Sequence, residues 1–315
     1  MWRAMKDYCA IEQIYHRPLD ELLGEALQAK KLSGRNGVQF CQLLNIKSGG
    51  CSEDCKYCAQ SAHYRTPIEK GALLDEEEIL QAGLQAKEKG ASRFCLGAAW
   101  RGLFEGETKT KKICKIISKI SSLGMELCLS AGFLTEKTAL MLKESGLKVY
   151  NHNLNTGPSY YPRIASTHRF EDRLQTIRIV QKVGLKLCSG GIIGMGERLK
   201  DRLEMLFCLY SLPEAPESIP INVYMPIEGT PFYGTPPLDY MDLIRMIATT
   251  RILFPLSRIR LAAGRKLLDE KTLTLCYLAG VDSIFIGEKL LTQSNVQLEK
   301  DYALLKKLNL RKEER

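Results

Sequence analysis

Length, composition and charge exclude several classes of protein before any motif is considered. The chain has 315 residues, of which 45% are hydrophobic and 26% are charged, with 12 prolines and 25 glycines. This balance is typical of a globular protein and excludes a disordered or collagen-like chain. The 45 basic and 36 acidic residues give a formal net charge of +9.

The same sequence also predicts the compartment of the protein and excludes some partners. It has no run of about 20 uncharged apolar residues and no apolar N-terminal signal, so we expect a soluble, cytoplasmic protein without membrane contact. Part of the basic excess lies in residues 109–115 and 306–315, without interleaved aromatic residues, so we expect no nucleic-acid partner. The 11 cysteines of a protein in a reducing compartment favour metal binding or redox chemistry over disulfides.

Residues 1–36 are predicted to form a helical extension, and strands then alternate with amphipathic helices through residues 37–315. The predicted strands are 38–46, 92–98, 125–130, 147–153, 185–189, 219–225, 259–262 and 283–286. The predicted helices are 75–89, 111–122, 135–144, 170–182, 200–212, 238–254, 270–278 and 301–308. This alternation predicts a single-domain α/β protein, a (β/α)8 TIM-type barrel with a C-terminal tail, and an open doubly wound sheet is the alternative.

A cysteine triplet directly follows the first predicted strand, where a barrel places its active site. Cys51, Cys55 and Cys58 have the spacing C-x3-C-x2-C. Cysteine thiolates are the usual ligands of iron–sulfur clusters, and three of them on a [4Fe–4S] cluster leave one iron open. A structural zinc site is the alternative, and it needs a fourth ligand such as His63.

The triplet and several further motifs resemble the biotin synthase family of radical S-adenosylmethionine (SAM) enzymes. The resemblance is carried by the segments 50–58, 93–100, 150–154, 188–192 and 260–265, which span most of the chain. It implies that Cys51, Cys55 and Cys58 hold a [4Fe–4S] cluster whose open iron binds SAM.

The resemblance also implies a second, [2Fe–2S] cluster inside the barrel, held by Cys95, Cys128, Cys188 and Arg260. Without the resemblance, we would expect the three cysteines to be small buried hydrophobic residues and Arg260 to form an ordinary salt bridge. We expect the remaining cysteines to serve packing, namely Cys9, Cys41, Cys114, Cys208 and Cys276.

Further residues are assigned to SAM and substrate by the same resemblance. The implied cofactor-binding residues are Tyr57, Asn153, Asn155, Arg173 and Ile192. The implied catalytic residues are Cys188, Arg260, Asn153 and Asn222, with Asn153 and Asn222 also contacting the substrate. His152 is equally consistent with a role in the site and with a satisfied structural histidine. The glycine-rich run 190–197 fits either close approach of the backbone to SAM or plain turn chemistry.

Two positions depart from the family pattern. Asn155 stands where an aspartate is common, which removes charge-assisted hydrogen bonds and predicts weaker SAM binding. Gln293 beside Thr292 replaces one of a pair of threonines that meets the carboxylate tail of the substrate.

The activity implied is the conversion of dethiobiotin to biotin. A 5′-deoxyadenosyl radical removes hydrogen, and the [2Fe–2S] cluster donates sulfur. A flavodoxin-type electron donor and a homodimer are implied as well. Two alternatives remain open, a radical SAM enzyme for another small molecule and a non-catalytic zinc-binding interaction protein.

Overall fold

Parallel strands surround the centre of the protein in the computed structural model, which describes residues 7–314. Residues 1–6 of the predicted extension and Arg315 of the predicted tail lie outside the described residues. The strands that form the ring are β1 (Gln39–Lys47), β2 (Arg93–Ala98), β4 (Glu126–Ser130), β6 (Val149–Asn151), β7 (Lys186–Cys188), β9 (Ser218–Val223), β10 (Arg258–Leu261) and β11 (Ser283–Ile286). The shorter strands are β3 (Gly102–Leu103), β5 (Phe133–Leu134) and β8 (Gly191–Ile193).

The ring is closed by strand β9, which pairs in parallel with β7 through Cys188 and Ser218 and with β10 through Arg258 and Ser218. Strand β1 likewise pairs with both β2 and β11. Each of the eight ring strands therefore has two neighbours, and no edge is left within the ring. This closure confirms the predicted barrel and excludes the open sheet.

Helices cover the outside of the ring, and local sequence signals start several of them. Asp75 caps α3 by accepting a hydrogen bond from the backbone of Glu78, and Asp269 caps α10 in the same way from Thr272. The helices are α1 (Tyr8–Tyr15), α2 (Leu19–Lys31), α3 (Glu76–Glu88), α4 (Thr108–Ile120), α5 (Glu136–Glu144), α6 (Tyr161–Ile164), α7 (Phe170–Lys182), α8 (Leu199–Tyr210), α9 (Tyr240–Leu253), α10 (Glu270–Leu278) and α11 (Leu298–Lys307). Helices α1 and α2 precede the barrel and pack against α9.

Two separate groups of buried residues stabilise this arrangement. The larger group lies between the helices and the outer face of the strands, as in other α/β barrels. The smaller group lies inside the ring and consists of Cys41, Cys95, Cys128, Val149 and Cys188. Within residues 7–314, none of the helices combines the length and the apolar character needed to span a bilayer.

The glycine-rich segment after β7 is shaped by packing between strands. A Cβ atom on Gly190 would lie 2.0 Å from the carbonyl oxygen of Pro220. A Cβ atom on Gly191 would lie 2.1 Å from the sulfur of Met205. These two glycines are therefore required by the contact of β7 and β8 with their neighbours, a role that the expectation of a ligand-facing turn did not include.

We expect Gly190→Ala to lower the free energy of unfolding by about 1–3 kcal/mol, because the added methyl group forces apart well-packed backbone. Gly24→Ala is the matched control, since Gly24 lies within α2 and a Cβ atom added to it would have no neighbour within 4 Å. The control should raise the free energy of unfolding by about 0.5–1 kcal/mol. Urea denaturation followed by circular dichroism measures the free energy of unfolding of both variants. Equal changes in the two variants would contradict this account of Gly190.

Candidate active site

A cavity of about 350 Å³ opens at the carboxyl ends of the ring strands. That end of a parallel barrel is where side chains from different βα loops converge. The cavity is lined by the cysteine triplet and by the residues predicted to contact cofactor or substrate. These lining residues are Cys51, Cys55, Cys58, Tyr57, Asn153, Asn155, Arg173, Ile192, Asn222, Thr292 and Gln293.

The loop that carries the triplet is turned back on itself by its own backbone. Gly49 and Gly50 have φ angles of 59° and 70°, a left-handed conformation that glycine adopts without strain. The Cys51 amide then donates to the Gln60 carbonyl at 2.9 Å, and the Ala62 amide donates to the Cys51 carbonyl at 2.7 Å. This closed loop holds all three thiols beside the cavity.

Asp54 anchors the loop to the connection between α6 and α7. Its carboxylate accepts hydrogen bonds from the backbone amides of Ser166, at 2.9 Å, and Thr167, at 3.1 Å. Partial burial opposes the charge, but these hydrogen bonds outweigh it and hold the pKa of Asp54 well below its usual range. The adjacent Glu53 accepts from Arg101 at 2.8 Å, which ties the loop to the end of β2 as well.

The three loop thiols are free, and their burial favours the protonated form. Burial raises the pKa of Cys51, raises that of Cys55 to about 11 and raises that of Cys58 to about 12. A metal must therefore displace protons to bind here. Soft thiol ligands of this kind suit iron–sulfur clusters and zinc.

A single closed ion site is not what the described residues present. Among residues 7–314, no three His, Cys, Asp or Glu side chains converge to hold one metal ion. His63, the candidate fourth zinc ligand, has its Nε2 atom 3.0 Å from the carbonyl oxygen of Ser52. An iron–sulfur cluster instead distributes its cysteine ligands around several irons.

Arg173 places a positive charge on the wall of the cavity. Its Nη1 atom donates to the Asn153 carbonyl at 3.0 Å, and its Nε atom donates to the hydroxyl of Tyr161. Burial works against the charge, but the neighbouring Tyr161, Tyr57 and Cys55 raise the pKa of Arg173. A fixed guanidinium of this kind suits a carboxylate ligand.

Asn155 lines the cavity and carries a side-chain donor without a partner among the described residues. Its φ angle of 73° lies in the left-handed region, which asparagine tolerates better than most residues. Its backbone is fixed by hydrogen bonds from its amide to Gly190 and from Ile192 to its carbonyl, at 3.1 and 2.8 Å. The side-chain Nδ2 atom is buried and has no hydrogen-bond partner among the described residues. A buried donor left in this way is suited to a ligand acceptor.

Asn222 and His152 also line the cavity, but they are held differently. Asn222 donates from Nδ2 to the Gly191 carbonyl at 2.9 Å and accepts from the Ala263 amide at 3.1 Å, so its amide orientation is fixed. The ring centroid of His152 lies 5.4 Å from that of Phe133, and burial holds the pKa of His152 well below the usual value. The Nε2 atom of His152 is buried and has no hydrogen-bond partner among the described residues, so His152 is not the satisfied structural histidine considered from sequence.

A second group of thiols lies beneath the cavity. Cys95, Cys128 and Cys188 are at most 5% exposed, and Cys95 is directly opposite Cys128 in the β2–β4 pairing. Arg260 is 1% exposed and donates from Nη1 to the sulfur of Cys188 at 3.4 Å. It also donates to the side chains of Ser283 and Gln39, so the salt bridge considered from sequence is not what the described residues show.

The deep thiols differ from the loop thiols in their protonation. A hydrogen bond from the Cys128 thiol lowers the pKa of Cys188 to about 5 despite burial, and the charge of Arg260 acts in the same direction. The pKa of Cys95 is lowered by the same two neighbours, whereas the pKa of Cys128 is raised well above its usual value. A lowered pKa favours the thiolate, which is the form of cysteine that binds metal.

The sequence marked Asn151 as a polar residue at the end of a strand without giving it a specific role, and it did not indicate Cys41 as a site residue. Asn151 lines the cavity and donates from Nδ2 to the sulfur of Cys188 at 3.2 Å, so it connects the two levels of the site. Cys41 belongs to the deep group although it was assigned to packing. The signal that could have found Cys41 is strand alternation, because it lies two residues before Leu43, which lines the cavity.

The chain matches two family models that together span most of its length. The Radical SAM superfamily model matches residues 45–209, and the Biotin and Thiamin Synthesis associated domain matches residues 220–311. Among solved structures, methylornithine synthase covers 98% of this chain and 94% of its own at a TM-score of 0.81 and 15% identity. The FeFe-hydrogenase maturase HydG from Carboxydothermus hydrogenoformans covers 96% and 74% at 0.80 and 17% identity. At such identities these structures support the fold alone.

Curated relatives place the chain more narrowly within the Radical SAM superfamily. Biotin synthase from Francisella philomiragia is 47% identical over 95% of this chain and 96% of its own length. Biotin synthase from Francisella tularensis is 47% identical over 96% of each chain.

The chain is therefore a radical SAM enzyme. Within that superfamily it belongs to the biotin synthase family. Enzymes of this family use a [4Fe–4S] cluster with SAM and carry a second, [2Fe–2S] cluster. This membership favours an enzyme over the zinc-binding interaction protein.

Proposed function

We propose that this protein converts dethiobiotin to biotin by inserting sulfur. The observation that carries the proposal is the presence of two groups of thiols at different depths of one barrel, one lining the cavity and the other buried beneath it. Leu43 and Phe285 line the cavity and also pack on the deep cysteines, so the two sites share a wall. Membership of the biotin synthase family supports this substrate.

The loop thiols fit a [4Fe–4S] cluster by the chemistry of their donors. Cys51, Cys55 and Cys58 would hold it, and their number leaves one iron position for SAM. The bound cluster and SAM supply the radical chemistry that removes hydrogen from unactivated carbon, which no side-chain acid or base achieves. The cavity beside the thiols and the unpaired Nδ2 atom of Asn155 support a polar ligand at this position.

The surrounding side chains would bind and orient SAM. The Arg173 guanidinium would pair with its carboxylate, and Asn155 would hydrogen bond to its ribose. Ile192 and Tyr57, which line the same cavity, would pack against its apolar surfaces. These contacts would fix the reacting groups and exclude water from them.

Asn153 and Asn222 would position the substrate. The Oδ1 atom of Asn153 accepts from the Gly190 amide, whereas Asn222 is held at both ends of its amide, by Gly191 and Ala263. Each amide still has capacity for a further hydrogen bond with a ureido ring. Thr292 and Gln293 on the cavity wall would meet the substrate's carboxylate tail.

Cys95, Cys128, Cys188 and Arg260 would hold the [2Fe–2S] cluster that donates sulfur. Their burial, the depressed pKa of Cys188 and the bond from Arg260 to Cys188 support metal binding at this depth. The Arg260 ligand role rests on the family resemblance. Arg260 also opposes the negative charge that such a cluster brings into the barrel.

The remaining proposals concern the whole protein. We propose a cytoplasmic homodimer that takes electrons from a flavodoxin-type donor, on the family resemblance alone. We also propose that residues 1–36 form an extension and residues 37–315 form the barrel with its tail. Both matched family regions fall within residues 37–315, which supports that division.

Two variants test the separate functions of the two thiol groups. Cys188→Ala should spare reductive cleavage of SAM but abolish biotin formation, because it damages only the deep site. Cys51→Ala should abolish both activities. Cys208→Ala on α8, outside both thiol groups, is the control and should leave both activities unchanged.

The assay uses anaerobically reconstituted protein with dethiobiotin and measures 5′-deoxyadenosine and biotin together. Normal biotin production by Cys188→Ala would show that the assignment of the sulfur donor is wrong. Loss of biotin with unchanged SAM cleavage in Cys51→Ala would contradict the assignment of the loop thiols.

Asn155→Asp should tighten SAM binding about fivefold, because a charged acceptor gains about 1 kcal/mol over a neutral one. The variant exchanges the unpaired Nδ2 donor for a second acceptor oxygen, to which a ribose hydroxyl can donate instead of accepting. Asn309→Asp is the matched control, since Asn309 shares the left-handed backbone, with a φ angle of 50°, but is exposed on the surface. Isothermal titration of cluster-loaded protein with SAM measures the effect, and an affinity for Asn155→Asp equal to or weaker than the parent would refute it.

A further inference from the structure

The deep site contains a fourth cysteine in addition to Cys95, Cys128 and Cys188. Cys41 on β1 is fully buried and belongs to the same interior group as those three residues. It is separate from the main hydrophobic core, which surrounds the outside of the ring. Its position inside the ring therefore differs from that of Cys276, a buried cysteine that packs in the main core.

Cys41 and Arg260 face the same corner of the deep site. The Cys41 sulfur lies 3.4 Å from Gln39 Oε1 and 3.6 Å from Ser283 Oγ. Arg260 donates from Nη2 to the same Gln39 oxygen at 3.2 Å and from Nε to the same Ser283 oxygen at 3.0 Å. The two side chains thus have two polar partners in common.

The thiol of Cys41 and the guanidinium of Arg260 differ in how readily they bind iron. A thiolate is the usual ligand of iron in a [2Fe–2S] cluster, and four cysteines form a complete ligand set. A guanidinium must lose a proton before it can bind a metal, at a high energetic cost. A thiol next to Arg260 therefore offers iron a ligand that is chemically simpler than the arginine.

We propose that Cys41 is a further metal ligand of the deep site. Cys41 and Arg260 share the fourth ligand position, and Cys41 can hold the [2Fe–2S] cluster in that position when Arg260 is absent. This inference rests on the proposed function, because it requires a cluster among the deep thiols. It gives the deep site four thiols in place of the three inferred from sequence. Arg260 and Cys41 become alternative ligands for one iron.

Three variants test this inference through cluster content. Arg260→Ala should retain most of its [2Fe–2S] cluster, and so should Cys41→Ser, because each keeps one occupant of the fourth position. The double variant Arg260→Ala with Cys41→Ser should retain less than about half of the [2Fe–2S] iron found in Arg260→Ala. Mössbauer spectroscopy of anaerobically reconstituted protein measures this, since it separates the [2Fe–2S] signal from that of the [4Fe–4S] cluster.

The matched control is Arg260→Ala with Cys276→Ser, which removes a buried thiol outside the ring and should behave as Arg260→Ala. The [4Fe–4S] content of each chain and its circular dichroism spectrum verify that the barrel has folded. Arg260→Ala should also shift the visible absorption of the [2Fe–2S] cluster toward that of an all-cysteine site.

Two outcomes would overturn the role of Cys41. Arg260→Ala and the double variant could retain equal amounts of [2Fe–2S] cluster, or Arg260→Ala could already lose as much as the double variant. Failure of the proposed function has a different signature, because the parent protein itself would then load no [2Fe–2S] cluster.

Discussion

Alternation of side chains along the strands of a closed barrel is the constraint on which both thiol groups depend. On β1 the inward positions Cys41 and Leu43 lie in successive layers, with the thiol below and the cavity wall above. On the fourth ring strand, β6, Val149 lies in the deep layer and Asn151 in the cavity. Because inward and outward positions alternate along each strand, thiols from several strands meet inside the ring, below the residues that line the cavity.

Two buried arginines, Arg93 and Arg260, lie near the deep thiols, and each has partners that compensate its charge. Arg93 is fully buried and donates to Glu126 at 2.8 Å, to Glu217 at 2.6 Å and to Ser218 at 2.9 Å. An isolated buried guanidinium would be strongly destabilising, but these partners satisfy it. Arg260 is compensated differently, since its neighbours include thiols whose pKa values it lowers. A layer with cationic side chains and thiols is suited to an anionic cluster and poorly suited to an apolar core.

The sequence was sufficient to predict the fold and to place the loop thiols at the carboxyl end of the barrel, but it did not predict that Cys41 belongs to the deep group. Periodicity located the eight ring strands within a few residues, because buried parallel strands and amphipathic helices have distinct patterns. The triplet could be recognised because Cys51, Cys55 and Cys58 are close in sequence. Strand alternation could have placed Cys41 inside the ring, but its proximity to Arg260 arises only when β1 and β10 both lie beside β11. The glycines at 190 and 191 were recognised, but their packing against Pro220 and Met205 depends on distances that only the folded chain sets.

The central claim is that a loop with three thiols leaves one iron of a [4Fe–4S] cluster open to SAM. Electron paramagnetic resonance of the reduced, reconstituted protein with and without SAM tests this most directly. Direct binding of SAM to the open iron should change the spectrum of the reduced [4Fe–4S] cluster. A spectrum that stays identical at saturating SAM would contradict the claim, because every iron would then already be held by the protein.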